Sequence, residues 1–150
     1  MSATDVTDTY SGRQYPLVAL VDIDFDTFTV GTVYEVLKLP GNAVITSVAL
    51  KVDVVWDDTT PVMAVGLLSD SSTDPDSILD GVALDAVEVY QASIYSADEE
   101  ATLDESLAVI ASTGDSIALA YTHASGTATA GHAYLVVEYL VPGRSNENQG

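Results

Sequence analysis

Apolar and polar residues alternate at every second position over much of this chain. In the stretch 44–56, VITSVALKVDVVW, the even-numbered residues are almost all apolar, whereas Lys51 and Asp53 occupy odd positions. Alternation of period two is typical of a β-strand with one buried face. LPGN before the stretch and DDTTP after it supply turn residues that end strands. The pattern therefore predicts one long strand whose apolar face runs from Val44 to Trp56.

Other segments show the same alternation, and each is predicted to be a strand. They are 15–25, 32–39, 62–69, 106–112, 116–123 and 132–141. Their predicted inner faces include Ile117, Leu119 and Tyr121 in one strand, and Ala133, Leu135, Val137 and Tyr139 in the last.

The middle of the chain, 70–105, is the exception to this pattern. Turn residues dominate it, and only 78–90 offers a short helix or a further strand. About seven or eight strands, with turns rich in Gly and Ser and without β-α-β alternation, predict an all-β fold. We expect an antiparallel β-sandwich or jelly roll.

The two ends of the chain are polar and lack periodicity, so they are predicted to be arms that fray or dock on a partner. We expect an N-terminal arm at 1–14, one β-sandwich domain at 15–142 and a C-terminal tail at 143–150. A chain of 150 residues has the length of one domain with one core.

The charge balance excludes several classes of partner. The chain has 23 Asp and Glu residues against 4 Lys and Arg residues, for a formal net charge of -19. So few cations cannot form the basic groove that neutralises nucleic-acid phosphates, and they would not attract an anionic membrane surface. No apolar run approaches the roughly 20 residues that span a bilayer. Without any cysteine, disulfides and thiolate chemistry are excluded.

The same acidity raises the question of the solvent in which the protein works. An apolar content of 47% is too high for a disordered chain, so the acid is carried by a folded domain. Self-repulsion of that charge is largely removed at molar salt, where the Debye length falls to about 3 Å. We expect a protein of a salt-loving host, and ordinary acidity for solubility is the alternative.

The stretch VDIDFD, 21–26, places three carboxylates at alternate positions. A calcium loop would need a glycine at its sixth position and a glutamate at its twelfth, but counting from Asp22 these are Thr27 and Val33. Alternation with apolar residues instead puts the three acids on one face of a strand. We interpret them as a solvated face, with a subunit contact, or a metal or catalytic site, as alternatives.

Weak candidates for a metal site lie elsewhere in the chain. They are Asp70, Asp74 and Asp76 in an acidic loop, and His123 and His132 on either side of the turn sequence ASGTATAG. If that turn closes a hairpin, the two histidines lie opposite each other, but zinc needs a third protein ligand and no matching motif accompanies them. We therefore expect no cofactor, and calcium or another bound cation is left open.

Motifs for catalysis are also missing from the sequence. It contains no G-x-S-x-G nucleophile elbow and no glycine-rich phosphate loop. We expect a protein that is not an enzyme.

Two blocks of sequence resemble a family of small structural proteins of tailed viruses. Its members show a K-L-P start to a long strand, an aromatic residue before a polar turn, a V-G-x-x-x-D strand end, and a final V-V-E-Y-x-x-x-G-R-x-N-E. Here the features fall on Lys38, Leu39, Pro40, Trp56, Gly66, Asp70, Val136, Val137, Glu138, Tyr139, Gly143, Arg144, Asn146 and Glu147. The segment 70–105 has no counterpart in this resemblance.

The resemblance implies a β-sandwich or jelly-roll protein of the virion, assembled in the host cytoplasm. We expect a capsid decoration protein, trimeric, that binds the major capsid protein or other virion subunits. Arg and Tyr are enriched at interface cores, so the expected contact residues are Tyr10, Arg13, Tyr15, Arg144 and Asn146. The alternative is a head-vertex, tail or fibre component that binds carbohydrate or a receptor, for which Tyr90, Tyr95 and Tyr134 would form an aromatic platform.

Overall fold

The residues that the structure describes form eight β-strands. The structure is a computed structural model, and it describes residues 14–70, 75–94 and 109–143. The strands are β1 (Leu17–Asp24), β2 (Val33–Leu39), β3 (Val44–Val54), β4 (Val62–Leu67), β5 (Leu79–Ala83), β6 (Val89–Ser93), β7 (Asp115–Thr122) and β8 (His132–Leu140). Within the described ranges, no helix is long and apolar enough to cross a membrane.

The strands form two antiparallel sheets of four strands each. Sheet A has the order β1-β8-β3-β6, and sheet B has the order β2-β7-β4-β5. The first four strands thus pair with the last four in reverse order, β1 with β8, β2 with β7, β3 with β6 and β4 with β5. This is one long hairpin rolled into a sandwich, the topology of an eight-stranded jelly roll. The predicted all-β class is confirmed.

The core lies between the two sheets and consists of the inner faces predicted from the alternation. Leu50 of β3, Leu135 of β8 and Leu119 of β7 are fully buried, and Trp56 closes one end of the core. Each inward aliphatic side chain that is fully buried contributes roughly 1.5–3 kcal/mol relative to its exposed state. Burial alternates clearly along β8, whereas β4 and β7 are buried at nearly every position.

In β3, two irregularities break the predicted alternation. The pairing of β3 with β8 shifts between Ile45 and Ser47, and again between Val52 and Val54. An extra residue reverses the alternation between the residues before it and the residues after it. Ile45 precedes the first shift and is therefore fully buried although it lies at an odd position. For the same reason Val54, which was predicted to face inward, is exposed.

The structure decides between the alternatives for one segment and corrects another. The segment 78–90, predicted as a short helix or a further strand, forms strands: β5 and the start of β6 occupy it, and each lies at the edge of its sheet among the described strands. The part of 106–112 that the structure describes forms no strand. It contributes a single bridge between Val109 and Val44, because residues 110–114 turn the chain into β7.

Candidate functional site

Three connections meet at one end of the sandwich and enclose a cavity. They are the loops β1–β2, β3–β4 and β7–β8. The amide of Phe25 donates to the carbonyl of Gly131 at 3.1 Å, and the amide of Gly31 donates to the carbonyl of Tyr121 at 3.0 Å. The cavity between the loops has a volume of about 480 Å³, which is within the range of small-molecule sites.

The β7–β8 loop is held against the β3–β4 loop by hydrogen bonds. The carboxylate of Asp57 accepts from the amides of Thr129 at 2.7 Å and Ala130 at 3.1 Å. The Thr129 hydroxyl also donates to Asp57, and together these bonds hold the pKa of Asp57 below its usual value. Thr59 exchanges two further backbone bonds with the loop, to Ser125 and from Ala124. One wall of the cavity is thereby fixed in position.

Gly131 lets this loop approach the core closely. A Cβ atom built on Gly131 would lie 2.4 Å from Cδ2 of Trp56, and the residue has a φ of 152°. Only glycine accommodates both the contact and this backbone conformation. The Trp56 ring in turn lies 6.5 Å from the ring of Tyr121, so the loop, the core and the cavity wall pack together.

The polar centre of the cavity is Asp58. Its side chain is 0% exposed, and its Oδ2 accepts from the Tyr121 hydroxyl. The Nδ1 of His123 lies 2.6 Å from the same oxygen. This contact orients the His123 ring, with Nδ1 facing the carboxylate of Asp58.

The other oxygen of this carboxylate lacks a partner. Among the described residues, Oδ1 of Asp58 is buried and makes no hydrogen bond. A buried acceptor without a donor costs about 1–3 kcal/mol, and more if it carries charge. The rings of Phe25, Phe28 and Tyr121 line the same cavity together with Asp26 and His123. The arrangement is an aromatic-lined acidic cavity with an unsatisfied acceptor.

A second cluster lies on the outer face of sheet A, around His132. Its Nδ1 lies 2.5 Å from a carboxylate oxygen of Asp53, and its Nε2 is hydrogen-bonded to Asp22. Two carboxylate partners require both ring nitrogens to donate, as only the imidazolium does. The hydrogen bond to Asp22, and then the one to Asp53, raise the pKa of His132 above its ordinary value. The cluster joins β1, β8 and β3 across the sheet.

The predicted hairpin between the two histidines is wrong. His123 follows β7 in sheet B, whereas His132 begins β8 in sheet A, so each histidine has its own carboxylate partners. Ligand-type atoms of Asp22, Asp24 and His132 lie within 4.8 Å of one another. However, His132 could bind a metal only by losing a proton and a carboxylate partner.

Among the described residues, Asp70 and Asp76 belong to no group of three or more side chains that could hold a metal ion. Asp70 is exposed in the turn after β4. Asp76 lies shortly before β5, two residues ahead of Ile78, whose amide donates to the carbonyl of Val65 in β4. Asp74 lies outside the described residues. A metal site in this loop stays a prediction.

The structure gives the acids of VDIDFD two roles. Asp22 and Asp24 point outward from β1 and are exposed, while Ile23 between them is fully buried. Strand geometry and a solvated face are therefore correct for these two. Asp26 lies beyond the end of β1 and lines the cavity, so the predicted single face stops at Asp24.

Most of the predicted contact residues cannot be placed. Tyr10, Arg13, Arg144 and Asn146 lie outside the described residues, and Tyr15 is 77% exposed just before β1. The structure instead shows an apolar patch that was not predicted, on the outer face of the edge strand β1. Val18 and Leu20 are 61% and 65% exposed there.

Two tyrosines of the predicted aromatic platform lie on opposite faces of sheet A. Tyr90 pairs with the buried Leu50 and packs toward the core. Tyr134 pairs with Asp22 on the outer face, where its ring stands edge-on to His132 at 4.5 Å. Tyr95 lies outside the described residues. Tyr90 and Tyr134 therefore cannot form one platform.

Asp58 is the site residue that the sequence did not reveal. In the sequence it is the second acid of DDTTP, a turn that many exposed loops share. Its burial depends on the β7–β8 loop folding over it from 65 residues away. Only the adjacency of Trp56 to two acids marked this turn as different from the others.

The fold and the loop-end cavity define the class of this protein: an eight-stranded antiparallel jelly roll with a small acidic cavity between its loops. No protein-family model and no curated protein matches the chain.

Solved structures of phage capsids contain chains of similar fold. A chain of the Ralstonia phage GP4 capsid matches with a TM-score of 0.57 and 22% identity, over 96% of this chain and 93% of that one. A chain of the cyanophage Pam1 capsid asymmetric unit matches with a TM-score of 0.54 and 17% identity, over 95% and 100%. A chain of the acidic stable capsid structure of Helicobacter pylori bacteriophage KHP30 matches with a TM-score of 0.51 and 17% identity, over 89% of this chain and 91% of that one. The shared feature is the fold.

Proposed function

We propose that this chain is a structural protein of a tailed-virus particle, and specifically a capsid decoration protein that stabilises the head. The observation that carries the proposal is the likeness in fold to chains of three phage capsid structures along almost the full length of both partners. The sequence motifs that resemble tailed-virus structural proteins support it independently. The location that follows is the virion.

The mechanism is binding without chemistry. A protein that binds only the assembled lattice stabilises that lattice by mass action. The exposed Val18 and Leu20 on the edge strand β1 supply apolar area for such a contact. The strand lies at the end of sheet A among the described strands, where a partner segment could also add to the sheet. We further propose that the protein is a homotrimer, which multi-angle light scattering would measure.

The direct test is an add-back experiment. Particles that lack this protein are mixed with the purified chain, and bound protein is measured by sedimentation. We expect saturable binding and a higher temperature of head disruption. Replacement of Val18 and Leu20 by Ser should weaken binding, whereas the matched exposed pair Val87 and Val89, which lies at the far side of sheet A on and before β6, serves as a control. Failure of the wild-type chain to bind any assembled particle would refute a decoration role.

A second candidate is a vertex, tail or fibre component with a receptor- or carbohydrate-binding role. The loop-end cavity favours it, because aromatic rings and carboxylates also line sugar sites. A glycan array probed with the isolated protein tests this role. Specific binding to a glycan, together with only a few copies per particle, would replace the decoration role by this one.

A further inference from the structure

We infer that the loop-end cavity is a binding site for a cationic group, a guanidinium or primary ammonium on an aliphatic stem. Its anchor would be the buried carboxylate of Asp58, and its walls would be the rings of Phe25 and Phe28. This inference does not depend on the proposed function.

The carboxylate of Asp58 has one oxygen without a hydrogen-bond donor among the described residues. Both donors that reach Asp58, from Tyr121 and His123, bond to Oδ2, and Oδ1 has none among the described residues. A fully buried carboxylate with a free oxygen is stabilised most by a charged donor, because charge-assisted hydrogen bonds are about twice as strong as neutral ones.

The surroundings of Asp58 are acidic. Asp26 lines the same cavity, and the chain carries a net charge of -19. Neither lysine of the described residues lines it: Lys38 lies 3.7 Å from Glu35, and Lys51 faces outward from β3. The cavity is therefore lined by two carboxylates and by no described Lys or Arg, which favours positive charge.

The size and the aromatic lining of the cavity also fit a cationic group on an aliphatic stem. A volume of about 480 Å³ accommodates a side-chain-sized ligand. Aromatic faces favour a cation, with guanidinium the more frequent partner. The lining thus matches an apolar stem that carries a charged head, whether on a protein as Arg or Lys or in a free polyamine.

Access to the anchor makes a specific prediction about His123. Because Oδ1 of Asp58 is enclosed, the incoming cation must displace a neighbour, and the side chain of His123 is 20% exposed whereas that of Asp58 is 0% exposed. We expect the cation to displace His123 from Oδ2 and to donate to both oxygens of Asp58, so that Oδ1 gains the donor it lacks. The NMR signals of the His123 imidazole should then shift on binding.

The test compares two isosteric probes on the wild-type protein at low salt. N-acetyl-arginine amide carries the charge, and N-acetyl-citrulline amide has the same shape without it. We expect the arginine probe to bind with His123 shifts and the citrulline probe to bind at least about tenfold more weakly. Equal affinity for the two probes, or no binding of the arginine probe, would overturn the inference.

Variants locate the anchor. Asp58→Asn keeps the shape of the side chain and should weaken binding of the arginine probe by about tenfold or more. Asp80→Asn, an exposed acid on β5, removes the same charge away from the cavity and should change binding by less than about twofold. Equal losses in the two variants would contradict a site at Asp58.

Further probes separate the sources of the cation from other ligands. Tighter binding of N-acetyl-arginine amide than of putrescine assigns the ligand to a protein side chain, and the reverse order assigns it to a free amine; both results support a cation site. Binding of a neutral methyl glycoside with no binding of either cation would overturn the inference and favour the fibre role. The virion location is tested separately by copy number.

Discussion

His132 lies between two carboxylates on the outer face of sheet A, and this position makes folding depend on its protonation. The charged imidazole donates to Asp22 and to Asp53 at once, so the folded state binds its proton more tightly than the unfolded chain does. The raised pKa of His132 is therefore also a statement about stability.

The raised pKa of His132 determines how the stability of the protein changes with pH. Since the folded pKa is above the unfolded value of about 6.5, the stabilisation is fully present below that value and is lost as pH rises through the folded pKa. Urea unfolding between about pH 5.5 and about pH 8.5 should show this loss in the wild type. His132→Gln should remove this contribution to the pH dependence of the unfolding free energy. A slope that persists unchanged in the variant would contradict the assignment to His132.

At the scale of elements, the β7–β8 loop depends on one glycine. Gly131→Ala should destabilise the protein by roughly 2–5 kcal/mol, because the new Cβ would meet the Trp56 ring and the backbone has a positive φ. Thermal or urea unfolding measures the loss.

Gly31→Ala is the matched control for this prediction. Gly31 also has a positive φ, of 78°, but no atom lies within 4 Å of the added Cβ. Its cost should therefore be the backbone strain alone, about 1 kcal/mol. Equal losses at the two glycines would mean that the contact with Trp56 is unimportant.

The strands also show which parts of the fold could be predicted from the sequence. Alternation predicted the inner face of β8, because a strand between solvent and core leaves a period of two in its sequence. It also predicted the inner face of β7, where large apolar residues alternate with the small Ser116, Ala118 and Ala120, although these are buried as well. It failed at Ile45 and Val54, because a bulge shifts the period and depends on the pairing partner. It left a helix open as the alternative to a strand at 78–90, because β5 and β6 are short edge strands with several exposed residues. The site around Asp58 was not predicted, because its burial is created by loops that are distant in sequence.

At the scale of the whole molecule, the core and the outer face of sheet A should respond differently to the same substitution. Leu135→Ala should cost about 2–5 kcal/mol of unfolding free energy, because Leu135 is fully buried. Leu20→Ala should change stability by less than about 0.5 kcal/mol, because Leu20 is mostly exposed. Chemical denaturation of both variants measures this, and a large loss for Leu20→Ala would mean that β1 is not a free outer face.

The net charge of the molecule predicts a salt dependence. If the acidity serves concentrated salt, the melting temperature should rise from about 0.1 M to about 3 M salt as the Debye length falls from about 10 Å to less than about 3 Å. The double variant Asp80→Asn/Asp85→Asn, at two exposed acids, should show a smaller rise. A flat profile in the wild type would contradict a composition that serves screening.

The proposal that this jelly roll is a decoration protein of a viral head makes a prediction about its copy number. Quantitative mass spectrometry of purified particles gives the ratio of this chain to the major capsid protein. We expect a ratio close to one, or a simple fraction set by the lattice. Absence of the chain from purified particles would contradict the proposal, and a handful of copies per particle would assign the chain to a vertex or tail instead.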